Sequence, residues 1–254
     1  MRESRAKVLA IQNDPTDPPL MVGDWLAEVG IDVEVVEAFA GQETPRHVPH
    51  DVHGILALGG SMGANDHDDA PWLPAEKSLL RDATERGVPV LGLCLGGQLL
   101  AEATGGRVTL GPVTEIGLAW VTRTQEGDDD PVVGAAVPVS GGDLPAAHWH
   151  QDHVEALPPD AVLLMTNDDC RVQAFRVGAA SYGLQLHPEI NGAVFRWWAD
   201  YVDEALRRSG VDPLAAAVEV EAMDDELVRA WKPMTRAWAE LVLDHAGLTE
   251  SGTS

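Results

Sequence analysis

Three side chains in this sequence are of types that can act together on a carbonyl: a cysteine, a histidine and a carboxylate. Cys94 lies in "GLCLGGQ" (92–98), with Gly92 two residues before it and Gly96 two after. A nucleophile on a sharp strand-to-helix turn needs small neighbours, because the turn crowds the backbone. The helix that follows supplies backbone N–H groups and a partial positive charge, and both favour thiolate over thiol. The competing reading is a buried structural cysteine whose glycines only help a helix pack on a sheet. A sulfur nucleophile also needs a base. Among nine histidines, His187 has the right setting, after the apolar "YGLQL" and before Pro188 and Glu189. Strand ends and their loops gather at one edge of a parallel sheet, so His187 is expected to share an edge with Cys94. Glu189, two residues on, can take the far ring nitrogen, fix the tautomer and stabilise the charged ring.

These residues must be positioned by alternating strands and helices. "KVLAIQN" (7–13), "DVEVVEA" (32–38), "GILALGG" (54–60) and "VPVLGLC" (88–94) read as buried strands. Segments 19–30, 73–87 and 96–104 read as helices, the first two stopped by Gly30 and Gly87 and the third closed by Gly105-Gly106. The alternation predicts a doubly wound, mostly parallel sheet with helices on both faces. Segments 113–124, 136–142, 148–158, 161–167 and 172–178 are short strand-like pieces, expected to form a small antiparallel extension. A last strand covers 180–190 and a helix 191–208. The tail from 213 to 246 carries an apolar stripe, Leu227, Val228, Trp231, Met234, Trp238, Leu241 and Val242, with Pro233 expected to kink or divide it. That stripe is read as packing against the domain, with a homodimer surface as the alternative.

The chain has 254 residues, enough for one large α/β domain or two small ones. Its 17 basic and 41 acidic side chains give a net charge of −24, which repels phosphate backbones and anionic membranes and argues against nucleic acid or a membrane as partner. The first residues, "MRESRAKVLAIQND", hold an apolar run too short for a signal core or a membrane span. The two cysteines, Cys94 and Cys170, are far apart, as expected of reduced thiols in a cytoplasm. No metal is expected. "NDHDD" (65–69) reads as a solvated loop capping the next helix, and strand alternation puts His148 and His150 on one face with His153 elsewhere.

Taken together, "GLCLGGQLLA", the "GGSMG" turn and "GLQLHPE" resemble the class I glutamine amidotransferases, the triad glutaminases. "HQDHVEALP" and "QAF" (173–175) are similar to the GMP synthetase branch. The resemblance spans roughly 7 to 200 and implies a flavodoxin-like, glutaminase-type fold, with residues 1–209 as the glutaminase domain and 210–254 as a helical extension packed on it. It implies that Cys94 attacks the side-chain amide carbon of glutamine, that His187 moves protons and that Glu189 orients His187. It further implies an oxyanion hole from the backbone N–H groups of Leu95 and of Gly60 or its neighbour, and substrate contacts from Gln98, His150 and Gln151. No cofactor is implied. The sequence departs from the family's Gly-Gly-Pro-x-Ser turn, having Ser61 where proline is usual and Gly63 where serine is. The missing proline predicts a less rigid turn and an oxyanion hole that is not preformed.

The implied substrate is glutamine or a γ-glutamyl amide. About 60 residues follow the triad, and they contain no Gly-x-x-x-x-Gly-Lys loop, so the expectation is a protein that passes ammonia to a separate synthase. The alternative is a hydrolase of a small γ-glutamyl metabolite. A catalytically silent binding protein is a third reading, against which the intact Cys94, His187 and Glu189 count.

Overall fold

A computed structural model describes residues 5–139, 142–200 and 210–248. Nine strands form one mixed sheet: β1 (Lys7–Gln12), β2 (Asp32–Glu37), β3 (Gly54–Ala57), β4 (Val90–Leu93), β5 (Arg107–Arg123), β6 (Leu144–Ala156), β7 (Val162–Thr166), β8 (Ala174–Val177) and β9 (Ser181–Leu184). Their spatial order is β2-β1-β3-β4-β9-β8-β7-β5-β6. The pairings from β2 to β9 are parallel, and those from β9 through β8, β7 and β5 to β6 are antiparallel. The antiparallel half is therefore as large as the parallel one, where the sequence suggested a mostly parallel sheet with a small extension. The physical reason is connection length: the links from β6 to β9 are only a few residues long, and a parallel crossover needs a dozen or more.

Helices cover the sheet. These are α1 (Leu20–Glu28), α2 (Leu73–Arg86), α3 (Leu95–Ala103), the short α4 (Gln125–Asp129), α5 (Gly192–Asp200), α6 (Pro213–Glu221) and α7 (Asp224–His245). The strand alternation sorts the core into two sets. Val8 and Ala10 join Trp25 and Leu26 of α1 and Trp231 and Trp238 of α7, while Leu9 and Ile11 join Leu79 and Leu80 of α2 and Leu99 and Leu100 of α3. Period-two side chains on strands buried from both sides produce this division.

Three expectations about elements change. Segment 136–142 forms no strand over its described residues. The strand foreseen at 113–124 begins at Arg107 and runs through Gly111 and Pro112, with a register shift between Leu110 and Glu115. Such a bulge lets a strand absorb glycine and proline. Pro233 does not divide the tail; α7 is continuous through it, and the break falls earlier, between α6 and α7. The apolar stripe of α7 is used inside the chain: Leu227, Trp231, Met234, Trp238 and Val242 are fully buried or nearly so. Trp231 donates its indole N–H to Pro145 O at 2.9 Å, and Lys232 and Arg236 reach Glu28 on α1. Of the helix foreseen at 191–208, the described part is α5; residues 201–209 lie outside the described residues.

A candidate cysteine–histidine–glutamate site

Cys94 sits between β4 and α3, as the N-cap of α3, with φ 47° and ψ −106°. A non-glycine residue there stores on the order of 1–3 kcal/mol of strain, which the surrounding packing must hold. The adjacent glycines permit that packing. A Cβ on Gly96 would lie 2.0 Å from Ala57 O, one on Gly92 2.6 Å from Gly96 O, and one on Gly97 2.6 Å from Leu184 O. The start of α3 is thus pressed against β3, β4 and the end of β9. Cys94 N–H donates to Leu184 O at 2.8 Å, which ties the elbow to the strand that carries the histidine.

His187 follows β9 and is held by its own N–H, which donates to Ala147 O of β6 at 3.0 Å. Its Nδ1 lies 2.5 Å from Glu189 Oε1, and both side chains are buried. A carboxylate only accepts, so Nδ1 carries the hydrogen and Nε2 is free for other work. Among the described residues Nε2 has no partner at hydrogen-bond geometry, yet the Cys94 sulfur is close enough to act on the ring's titration. Burial works to lower the His187 pKa; the Glu189 carboxylate and the Cys94 sulfur outweigh it and raise it well above its ordinary value. Trp198 of α5 packs edge-on against the imidazole, centroids 4.9 Å apart, and Trp149 and Phe195 extend the aromatic wall.

The glycine turn after β3 lies against the elbow. A Cβ on Gly60 would meet the Leu95 side chain at 2.9 Å, so the Gly60 backbone and the first residue of α3 are neighbours. The N–H of Leu95 is in the first turn of a helix and has no intrahelical acceptor. The turn lacks the expected proline but has another restraint. Ser61 donates its hydroxyl to Asp14 Oδ2 at 2.7 Å, and the Ser61 and Thr16 N–H groups also reach the Asp14 carboxylate. Burial would raise the Asp14 pKa, but these donors bring it below the ordinary value. Asn13 adds a bond from Nδ2 to Leu58 O at 3.1 Å.

The other foreseen residues divide. Gln98 reaches the site's floor, where its Nε2 donates to Asp152 O at 3.0 Å and to Gln185 Oε1 at 3.3 Å. Gln185 in turn points Nε2 at the Cys94 sulfur, 3.8 Å away. His150 lies beside the same carbonyl, with Nδ1 3.0 Å from Asp152 O and Nε2 3.0 Å from Glu115 Oε2. Gln151 is half-buried and, one position on along β6, faces the other way from His150. Sequence reasoning did not single out Gln185, Trp149, Trp198, Asp14 or Asp17 for the site. Gln185 stood inside the quoted "YGLQL", and its place just past β9, two residues before the histidine, was a usable signal.

Glu115, His148 and His150 each offer one ligand atom within 4.8 Å of the others. The Glu115 oxygens accept from side-chain amides, Oε1 from Asn167 at 2.7 Å and Oε2 from Gln173 at 2.9 Å, while both ring nitrogens of His148 lack a hydrogen-bond partner among the described residues. Burial, the largest influence, pushes His148 down to about 3, and its ring stays neutral. Burial would raise Glu115, but His150, His148 and Asn167 bring it down to about 2.

The geometry can therefore hold a sulfur nucleophile beside an imidazole whose pKa is raised, with backbone amides at the mouth of a helix. The family model for class-I glutamine amidotransferases matches residues 21–196. A curated relative from Haloarcula marismortui, named as one of the subunits of a glutamine-hydrolyzing GMP synthase, is 35% identical over 168 residues, covering 65% of this chain and 76% of the relative. Among solved structures, a glutamine amidotransferase from Methylobacillus flagellatus is 31% identical with a TM-score of 0.74, covering 98% of each chain. One from Thermotoga maritima is 26% identical with a TM-score of 0.79, covering 94% of this chain and 99% of that one.

Proposed function

Because the chain belongs to the class-I glutamine amidotransferase family, we propose that it hydrolyses the side-chain amide of glutamine through a thioester on Cys94 and delivers the ammonia to a separate synthase. The observation that carries this reading is the His187 ring, bonded through Nδ1 to Glu189, with Nε2 left for the Cys94 sulfur. The sulfur attacks the amide carbon, and the carbonyl electrons move onto oxygen. The Leu95 and Gly60 N–H groups stabilise that oxyanion; one such donor is worth about 3 kcal/mol of barrier. His187 gives the Nε2 proton to the amide nitrogen, the C–N bond breaks and ammonia leaves. Neutral His187 then takes a proton from water as the water attacks the thioester, and glutamate is released with sulfur regenerated. Glu189 keeps the ring in the productive tautomer throughout. Gln98 and Gln185 line the floor beside the sulfur, and we place the amino-acid end of the substrate near Gln151 on β6. Residues 1–209 form the glutaminase domain in this reading, with 210–254 as its helical extension. A synthase partner is supported by the relative from Haloarcula, whose name makes it one component of a synthase. No helix among the described residues is long and apolar enough to cross a membrane.

The test is Cys94→Ala. We expect the variant to keep its fold by circular dichroism and to lose ammonia release from glutamine by at least about a thousandfold. Turnover that persists in Cys94→Ala removes the nucleophile assignment. Turnover of γ-glutamyl amides by wild type, with none of glutamine, redirects the reading to a γ-glutamyl hydrolase.

A further inference from the structure

Two buried carboxylate oxygens next to the histidine have no donor. Among the described residues, Asp17 Oδ1 and Glu189 Oε2 are both buried and lack a hydrogen-bond partner. Asp17, His187 and Glu189 each bring one side-chain atom within 4.8 Å of the others. Two ionised carboxylates this close repel, and a buried acceptor without a donor costs stability. One proton between them removes both problems at once. Asp17 is the residue able to carry it. Glu189 is already committed to the His187 ring, whereas among the described residues the donor that reaches the Asp17 carboxyl is the Gly59 N–H, Oδ2 lying 2.0 Å from where a Gly59 Cβ would be. The loop holding Asp17 is fixed, with Asp17 N–H donating to Asp14 O at 3.1 Å and the Trp198 indole donating to Thr16 O at 2.9 Å.

We propose that Asp17 is a positioning residue of the candidate site: a protonated carboxyl that donates from Oδ1 to Glu189 Oε2 while Oδ2 accepts from Gly59. The side chain thereby joins the histidine's carboxylate to the glycine turn, so that the ring and the oxyanion donors are held in one register. The inference rests on the amide-hydrolysis reading given above. Burial and the Glu189 charge raise the Asp17 pKa to about 8, against the lowering influence of His187 and the Gly59 N–H, with Asp14 adding to the rise. Those are the charged and polar groups that face it: Asp14 on its own loop, His187 and Glu189 after β9, and Gly59 after β3. The sign follows directly. The hydrogen bond to Glu189 exists below about pH 8 and is lost as pH rises through it.

The experiment compares wild type, Asp17→Ala and Asp17→Asn, measuring kcat and KM on glutamine from about pH 6 to 9.5. Asparagine keeps both roles, since its amide donates to Glu189 and its oxygen accepts from Gly59, but it cannot titrate. We expect Asp17→Ala to lose about tenfold or more in kcat at pH 7 with KM little changed. We expect wild-type kcat to fall near pH 8, and Asp17→Asn to recover most of the alanine loss and to lack that fall. An asparagine variant as impaired as alanine, or one with the wild-type alkaline limb, overturns the proposal. Infrared spectroscopy reads the same proton without substrate: a protonated carboxyl C=O band that disappears in Asp17→Asn. Its absence from wild type at pH 6 also overturns the proposal, even if the substrate reading itself fails.

Discussion

Cys94 and Cys170 are equally hidden, at 5% and 6% exposure, so accessibility does not separate them. Their surroundings do. Cys170 bonds Val172 O and faces Glu115 and Asp169; burial first, then those carboxylates, push its thiol up to about 12. It therefore stays protonated and unreactive at any working pH. Cys94 instead opens a helix and neighbours His187, whose pKa burial would lower but Glu189 and the sulfur itself raise well above its ordinary value. We expect iodoacetamide at pH 7 to modify Cys94 first, read by peptide mass mapping. Equal or reversed labelling contradicts an activated sulfur. At this scale the sequence was informative for residues that share a short window. Glycine spacing marked Cys94, and a strand end marked His187 and Glu189. Asp17 and Trp198 were not legible, because their relation to the histidine exists only after α1 and α5 have packed around it. Ser61 was legible as a departure from the family turn, but its bond to Asp14, 47 positions away, was not.

The elements hold the site by contact between backbones. Gly96 is where α3 touches β3, and a methyl group there would overlap the Ala57 carbonyl, which is backbone and cannot turn aside. Gly96→Ala must shift the whole start of α3, and with it Cys94 and the Leu95 N–H. We expect a loss of about 1–3 kcal/mol in stability, measured by urea unfolding, together with a fall in kcat larger than the stability change explains. Wild-type kcat in a folded Gly96→Ala variant would show that the elbow tolerates displacement. The same reasoning explains which elements could be read in advance. The βα alternation up to α3 depends on apolar runs and glycine stops, which are local signals. The long β5 was hidden by Gly111 and Pro112, which look like breakers and are accommodated by a bulge. Pro233 looked like a division, but Trp231, Met234 and Trp238 around it are fully buried, and that packing holds α7 together where propensity alone would not.

The whole molecule carries a strong electrostatic load. With 41 acidic side chains and 17 lysines and arginines, 24 carboxylates have no lysine or arginine counterpart however the pairs are arranged. Several of the pairs that do form are exposed, as with Arg107–Glu155 and Arg196–Glu221, and solvent screening leaves such pairs weak. Salt therefore has two opposing effects. It weakens those few attractions, and it screens a larger number of repulsions. The counts decide the balance, since repulsion among excess like charges outnumbers the attraction of pairs that are weak in water. Raising NaCl from about 0.01 M to about 1 M shortens the screening length from roughly 30 Å to roughly 3 Å, which silences nearly all long-range repulsion. We expect the melting temperature to rise by several degrees over that range; for a chain of this size each 1 kcal/mol is worth about 2–4 °C. Scanning calorimetry checks it. A melting temperature that falls with salt would mean that the surface pairs, and not the excess acid, set the electrostatic contribution to stability. The same field bears on the proposed partner. A synthase that docks on this surface must bring basic side chains to it, so its association should weaken as the same salt is added, the opposite sign to the stability of the chain alone.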